Sequence, residues 1–198
     1  MIRFVLKRGF DIVFSFVVLL VTLPVWMLIA LIIKWSSPGP VFYIQHRVGR
    51  HGHLFYVFKF RTMYVNTDRE GLLTTTTTEA RITPIGRFLR KLKIDEWPQF
   101  LNVLKGDMSV VGPRPEVAYF VKFYNAEQLK VLSVKPGITD YASIKYFDEN
   151  ALLAKSSNPE QTYLHSIMPD KLKLNLEYIN SRSFFGDLKI LFKTFQKL

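Results

Sequence analysis

Cysteine is absent from the 198 residues, which excludes a disulfide framework, a thiolate nucleophile and any Cys-ligated metal. Histidine is scarce, with four in all; His51 and His53 flank one glycine with no further ligand nearby, so no zinc site is assigned. Acidic side chains are also in deficit, 16 against 27 basic ones, for a formal net charge of +11. Of that surplus, +8 falls on residues 1–100, which hold 14 basic and 6 acidic residues. Such a chain wants an anionic partner. Acidic lipid, nucleic acid and phosphorylated small molecules all qualify, because net charge reports a partner's sign and not its identity. No internal repeat is visible. At 48% hydrophobic and 15% aromatic, the chain can fill a core with apolar material left over, and disorder is excluded.

Charge is missing altogether from Ile12 to Ile33. That run, at 1.5 Å per residue, makes a helix of roughly 33 Å, close to the thickness of a hydrocarbon core. No small-residue cleavage site follows it, since the chain passes straight into Lys34, Trp35 and Ser36, so a retained membrane segment is expected and not a signal peptide. Arg3, Lys7 and Arg8 precede the run, and Lys34, Arg47 and Arg50 follow it, so charge bias fixes no orientation. Pro24, at its middle, removes the helical hydrogen bond to the Leu20 carbonyl and kinks the axis, with Thr22 placed to help satisfy the freed group. Two topologies fit: a spanning helix with a tolerated proline, and a re-entrant hairpin that returns both basic flanks to one anionic face.

Beyond the turn-rich break at Ser36–Pro40, Val41–Val48 and His53–Met63 read as two strands of a β-hairpin joined by Gly49, Arg50, His51 and Gly52. The period of two puts Phe55, Val57, Lys59 and Arg61 on one face, so Lys59 and Arg61 are expected to project together. Residues 64–82, with the threonine run Thr74–Thr78, read as a loop placed to cover a site. Thr83 and Pro84 are a helix start, with the helix expected to reach Lys93 and to carry Arg87, Arg90 and Lys91 on one side. A further helix is expected from Asp95 to Gly106, with Pro98 in its first turn. More helix is expected over Glu116–Leu132, and one or two helices over Leu172–Leu198. The last has Phe184, Phe185, Leu188, Leu191, Phe192 and Phe195 on one side and Lys189, Lys193 and Lys197 on another. It suits a membrane interface or a plain core-facing role.

Asp95 and Glu96 are adjacent, so on a helix they diverge by about 100° and cannot share one proton; their roles must differ. A helix N-terminus would lower a carboxylate's pKa and keep Asp95 ionised, ready for nucleophilic attack or a divalent cation. Around the pair lie Arg87, Arg90, Lys91 and Lys93 upstream, Lys59 and Arg61 on the strand face, and Lys105 and Arg114 downstream. That inventory suits phosphate, because a carboxylate cannot attack a diphosphate until bidentate arginines or a bridging magnesium ion neutralise its charge. Gly112-Pro113-Arg114-Pro115 is a stiff segment presenting one guanidinium, and Pro136-Gly137-Ile138 is a second turn.

The ordered motifs Lys7-Arg8-Gly9-Phe10-Asp11, Lys59-Phe60-Arg61-Thr62-Met63, Asp95-Glu96-Trp97-Pro98-Gln99, Asn102 to Ser109, Val111-Gly112-Pro113-Arg114-Pro115 and Lys135-Pro136-Gly137-Ile138-Thr139 together resemble the bacterial sugar transferase family. These are the monotopic polyprenyl-phosphate phosphoglycosyl transferases, and the likeness covers nearly the whole chain. The resemblance implies an α+β fold. A re-entrant membrane helix-break-helix (residues 1–36, kinked at Pro24) would precede a compact, mostly helical catalytic domain (37–198) with a small β-hairpin and interfacial amphipathic helices. It implies transfer of a sugar 1-phosphate from a UDP-sugar to polyprenyl phosphate, with release of UMP, at the cytoplasmic face of the bacterial inner membrane. Asp95 would be the nucleophile and Glu96 its support, with Mg2+ held at the Asp95–Glu96 pair. Lys59 and Arg90 would contact phosphate and Pro113, Arg114 and Pro115 the uridine, with Arg61 and Arg87 of the basic inventory expected to join the phosphate site. Anionic membrane lipid is an expected partner and nucleic acid is not; the oligomeric state is not indicated.

Two departures stand out. Leu23 precedes Pro24 where the family commonly has Ser-Pro, and residues 140–169 diverge from the common continuation, so the sugar is not inherited from better-known members. Larger members carry spanning helices ahead of this module, and none is expected ahead of Met1. Two rivals remain: a non-catalytic basic adaptor for acidic lipid or nucleic acid, and an enzyme using Asp95 as a base for direct one-step transfer.

Overall fold

The computed structural model describes residues 2–65 and 81–197; most of the loop expected at 64–82, with its threonine run, lies outside the described residues. Helix α1 (Ile2–Ser36) carries the apolar run with Pro24 inside it, and the expected helix-break-helix is not resolved into two elements. By length and composition Val5–Ser36 can cross a membrane. Thr22 donates to the Val18 carbonyl at 2.7 Å, not to the Leu20 carbonyl that Pro24 leaves without its helical donor.

One stripe of α1, with Asp11, Ser15, Trp26, Ile29 and Ile33, is buried while Val13, Phe16, Val17, Leu20, Val21 and Leu28 are exposed. The spacing is helical, so a single face meets the rest of the protein. Its first turns are tied by charge. Lys7 Nζ reaches Asp187 at 2.6 Å and the Val111 carbonyl at 3.0 Å, Arg8 donates to the Val103 and Leu104 carbonyls, and Asp11 accepts from Ser109 Oγ and the Val110 N–H. The far end is tied by packing, with Trp26 edge-on to Phe60 at 5.2 Å between ring centres.

The hairpin forms as expected, though its second strand ends at Phe60 and not at Met63, leaving Arg61 just past it: β1 (Phe42–Val48) pairs antiparallel with β2 (Leu54–Phe60), from Phe42↔Phe60 to Val48↔Leu54. His51 and Gly52 take the positive φ values, 58° and 81°, that reverse the chain. Helix α2 (Pro84–Lys91) starts as expected, with Thr83 Oγ1 accepting from the Gly86 N–H at 3.0 Å. It stops short of Lys93, which is left-handed at φ 56°.

The second expected helix needs correction. Ile94–Glu96 is a tight 3-10 turn, and α3 (Gln99–Lys105) begins only after Pro98, whose missing N–H cannot continue the turn. Asp95 and Glu96 therefore sit one turn ahead of the helix. Asn102 of α3 is fully buried and bonds both ways to β2, donating to the Tyr56 carbonyl at 2.6 Å and accepting from the Phe58 N–H at 3.1 Å. This locks α3 to the hairpin.

A parallel pair of short strands, β3 (Ser109–Val111) and β4 (Gly137–Thr139), has no forerunner in the sequence reading. Two glycines permit it: a Cβ on Gly137 would lie 2.1 Å from the Gly112 nitrogen. The helix expected over Glu116–Leu132 is instead α4 (Ala118–Val121) and a 3-10 turn at Gln128–Ser133. The Glu116 carbonyl is used by the Val48 N–H at 2.8 Å. Asn125 and Gln128 then exchange side-chain-to-backbone bonds that restart the chain, in the manner of a capping box.

Short helices α5 (Tyr141–Lys145), α6 (Glu149–Ala154) and α7 (Pro159–Thr162) lead through a π turn at Tyr163–Ile167 into α8 (Met168–Ser181) and α9 (Phe184–Lys197). The expected C-terminal helical region is thus two helices, with Ser183 Oγ capping the second. One core joins Val103, Met108, Val110 and Val111 to Tyr178 and Ile190; another joins Phe120, Val131, Leu153, Tyr163 and Met168. Helix α9 turns Asp187, Ile190 and Leu191 inward and leaves Phe185, Phe192 and Phe195 at least 64% exposed. Of the residues expected on one side, Leu191 goes to the core and the phenylalanines face out beside the lysines.

Candidate active site

The odd-numbered face of the hairpin, the 3-10 turn and the segment after β3 enclose a cavity of about 1370 Å3. Asp95, Glu96, Lys59, Arg90 and Arg114 line it, and Phe14, Val17, Val18 and Val21 of α1 give it an apolar wall. One compartment therefore joins charged groups to the long apolar helix α1.

The two acids differ sharply. Lys59 Nζ lies 2.9 Å from Glu96 Oε1, and Arg114 grips the same carboxylate with both terminal nitrogens, Nη1 to Oε2 at 2.8 Å and Nη2 to Oε1. Such a fork is directional as well as strong. Asp95, only 8% exposed, receives no hydrogen bond among the described residues. Burial and then the adjacent Glu96 push its carboxyl up to about 6, against the pull of Lys59, Arg90 and Arg114. Burial also opposes charge on Glu96, but Arg114 and Lys59 outweigh it and hold that carboxyl well below the usual range. The helix-terminus argument expected a lowered Asp95; the pair sits in a buried 3-10 turn, and desolvation decides the sign. The chemical outcome is one carboxylate spent on two cations and a neighbour uncommitted and still largely ionised at pH 7.

Other expected residues separate. Arg90, in the last turn of α2, lines the cavity and donates from Nε to Thr62 Oγ1 at 2.8 Å. Arg87 lines it from an exposed position. Arg61 also borders the cavity, but its guanidinium leaves Lys59 and caps the end of α1. It donates to the carbonyls of Pro38 at 2.5 Å and Ser37 at 2.8 Å, and to Ser37 Oγ at 3.1 Å. Alternation fixes the face of a Cα–Cβ bond, not where a long side chain ends. Gly39, at φ 126°, accommodates it: a Cβ there would lie 2.0 Å from Arg61 Nη1. Of the proline pair, Pro115 lines the cavity, whereas Pro113 is buried and its carbonyl accepts from the Gly137 N–H at 2.9 Å.

Sequence reading missed a second polar group on the same wall. Arg47 Nη1 meets Glu116 Oε1 at 3.2 Å, its Nη2 meets Gln45 Oε1 at 2.8 Å, and Tyr163 donates to the other oxygen of Glu116. Burial lowers the Arg47 pKa although Glu116 opposes it. Strand alternation could have found it, since Arg47 and Lys59 share the hairpin's odd face. Asp140, at the start of the divergent stretch, was also missed: it accepts from the Arg114 N–H at 2.9 Å and caps α5. Among the described residues no group of three or more Asp, Glu or His comes together to cage a metal.

The model of the bacterial sugar transferase family matches residues 2–198. The chain is 35% identical over 196 residues to an Aeromonas hydrophila UDP-N-acetylgalactosamine-undecaprenyl-phosphate N-acetylgalactosaminephosphotransferase, covering 98% of this chain and 43% of that protein. It is 40% identical over 192 residues to the UDP-glucose:undecaprenyl-phosphate glucose-1-phosphate transferase of Escherichia coli (strain K12), covering 96% and 39%. It is 39% identical over 194 residues to the uncharacterized sugar transferase EpsL of Bacillus subtilis (strain 168), covering 98% and 87%. The chain thus spans less than half of the first two relatives and most of the third. With the family model matched from end to end, the chain belongs to the bacterial sugar transferases.

Proposed function

We propose that this protein moves a sugar 1-phosphate from a UDP-sugar to polyprenyl (undecaprenyl) phosphate, the first membrane step in assembling a lipid-linked glycan. The observation that carries the reading is the uncommitted Asp95 carboxylate beside Lys59, Arg90 and Arg114, in a cavity whose other wall is the membrane helix. Both substrates are anionic at the reacting end, and one is a lipid.

In the first step an Asp95 carboxylate oxygen attacks the sugar-bearing phosphorus. The bond from that phosphorus to the bridging oxygen breaks, and UMP leaves with the electron pair. In the second, a phosphate oxygen of polyprenyl phosphate attacks the phosphosugar-aspartyl group and restores the carboxylate. Glu96 holds Lys59 and Arg114 in place, and these, with Arg90 and Arg87, balance charge on the diphosphate. Arg61 acts on the fold and not on substrate. The uridine lies along Arg114 and Pro115.

A magnesium ion fits as a partner of the Asp95–Glu96 edge. Asp95 is free to ligate, Glu96 is largely spent, and such an ion commonly takes one or two carboxylates and completes its shell from phosphate and water. When bound it would supply further charge neutralisation.

The reading includes a re-entrant α1 at the cytoplasmic face of the bacterial inner membrane. It is supported by the contacts at both ends of that helix: Lys7, Arg8 and Asp11 at one and Trp26, Ile33 and Ser37 at the other all meet the same domain. A helix crossing the bilayer would carry one end away from it.

Steady-state kinetics test the proposal. A panel of UDP-sugars with polyprenyl phosphate should identify one that releases UMP with a ping-pong pattern. A ternary-complex pattern would replace the covalent route with direct transfer, and no turnover with any UDP-sugar would leave the basic adaptor.

A further inference from the structure

A second, smaller cavity of about 110 Å3 lies at the start of α1, lined by Lys7, Arg8 and Asp11 together with Arg50, Lys135 and Arg182. It is distinct from the catalytic cavity. Strand β3 separates them, because Val110 lines the large cavity while Ser109 and Val111 line the small one.

The charges here are unbalanced. Lys7 is matched by Asp187, and Asp11 is occupied by Ser109 and the Val110 N–H. Among the described residues Arg8 and Arg50 meet only carbonyls: Arg8 those of Val103 and Leu104, Arg50 that of Ser133 through Nε at 3.1 Å. Lys135 and Arg182 make no hydrogen bond or ion pair among the described residues. A Cβ placed on Gly106 would lie 3.4 Å from Arg8 Nη2 and 3.5 Å from Lys135 Nζ, so these two like charges converge on one spot. Burial and then Arg8 depress the Lys135 pKa, with Asp11 and Asp107 opposing. Four cations from separate segments face Asp11 as the one carboxylate lining the pocket among the described residues, and that surplus of positive charge is a site for an anion.

Position says which anion. The pocket sits beside Lys7, Arg8 and Asp11, between exposed Val5 and Leu6 and the long exposed apolar surface of α1 that runs on from Ile12 and Val13. If that surface enters the bilayer, the pocket stands at headgroup level on an anionic leaflet. We propose that this pocket binds the phosphate of an anionic membrane phospholipid, clamping the head of α1 to the domain through Arg8, Arg50 and Lys135. The inference rests on the membrane placement of α1 but not on the transferase reaction.

The test is thermal unfolding of the intact protein, purified in phosphate-free neutral detergent. Added phosphatidylglycerol at about ten times its dissociation constant should raise Tm by roughly 3–6 °C for a chain of this size, and native mass spectrometry should show one lipid retained. The Arg50→Gln/Lys135→Gln protein should keep its circular dichroism spectrum, lose that rise and lose the retained lipid. Lys155→Gln, an exposed residue outside both cavities, should behave as the wild type. Full lipid stabilisation of the double variant would overturn the proposal, and so would an equal rise with inorganic phosphate, which would make this a soluble-anion site. If the double variant proves unfolded, Lys135→Gln alone carries the test and should weaken the lipid-induced rise; an unchanged rise would overturn the proposal. Loss of UMP release has no bearing on either readout, so failure of the transferase reading is told apart from failure of this one.

Discussion

Replacing Arg61 by alanine separates a phosphate-binding arginine from a structural one. Its residue is 6% exposed, and its best contacts are the Pro38 and Ser37 carbonyls at 2.5 and 2.8 Å, with Ser37 Oγ at 3.1 Å. Hydrogen bonds from a charged donor contribute about 1.5–3 kcal/mol each. Two good ones, with the Ser37 hydroxyl and the carbonyls left unpaired behind them, make Arg61→Ala cost about 3 kcal/mol. For a domain of this size that is a fall in Tm of roughly 6–12 °C. Arg61→Lys keeps the charge but loses the fork and should fall about half as far. Both should keep KM for the UDP-sugar within about threefold when assayed well below the lowered Tm, since the guanidinium faces the end of α1. The measurements are unfolding of the purified protein and KM from UMP release. A tenfold rise in KM with Tm lowered by less than about 2 °C would refute the placement and return Arg61 to the phosphate site.

Four further outcomes follow from the same geometry. Asp95 at about 6 should give an acidic limb in kcat/KM, rising with pH as the nucleophile ionises. Glu96→Gln removes a like charge and frees Lys59 and Arg114, so it should move that midpoint downward; an upward shift would contradict the assignment. The same change strips the partner from two half-buried cations, and with Arg114 about 35% exposed at the side chain the cost should be about 2 kcal/mol, below the value for a fully buried pair, as read by denaturant unfolding. Gly137→Ala must force apart β3 and β4 and should destabilise by about 3 kcal/mol; a melting temperature equal to wild type would mean the strands are not in contact. Because the natural chain has no cysteine, thiol labelling of Ile2→Cys and Ser36→Cys in membrane vesicles reads topology cleanly. Labelling from the same face is expected, and opposite faces would exclude the re-entrant helix.

The parts of the fold that were legible have local causes. Turn residues between alternating strands give the hairpin, and Thr83-Pro84 gives the start of α2, because both signals act over a few residues. The parallel β3–β4 pair was not legible: strands of three residues show no period, and their contact depends on Gly112 and Gly137, twenty-five positions apart. The interrupted helix after Glu116 escaped because its carbonyl is claimed by Val48, a distant partner that propensity ignores. At the site, the sequence pointed to Asp95, Glu96, Lys59, Arg90 and Arg114 by charge and resemblance, and these do line one cavity. The direction of the Asp95 shift was misjudged because burial is a tertiary property. The separation of Arg61 from Lys59 was missed because reach, not strand face, places a guanidinium.

The central claim is that Asp95 becomes covalently phosphoglycosylated. Intact-mass spectrometry of the protein mixed with its UDP-sugar, without polyprenyl phosphate, should show one added phosphosugar per chain, one UMP released, and peptide mapping of the adduct to Asp95. Asp95→Asn should show neither adduct nor UMP. Full activity in Asp95→Asn, or turnover by a wild-type enzyme that never gains mass even under rapid quench, would contradict the account.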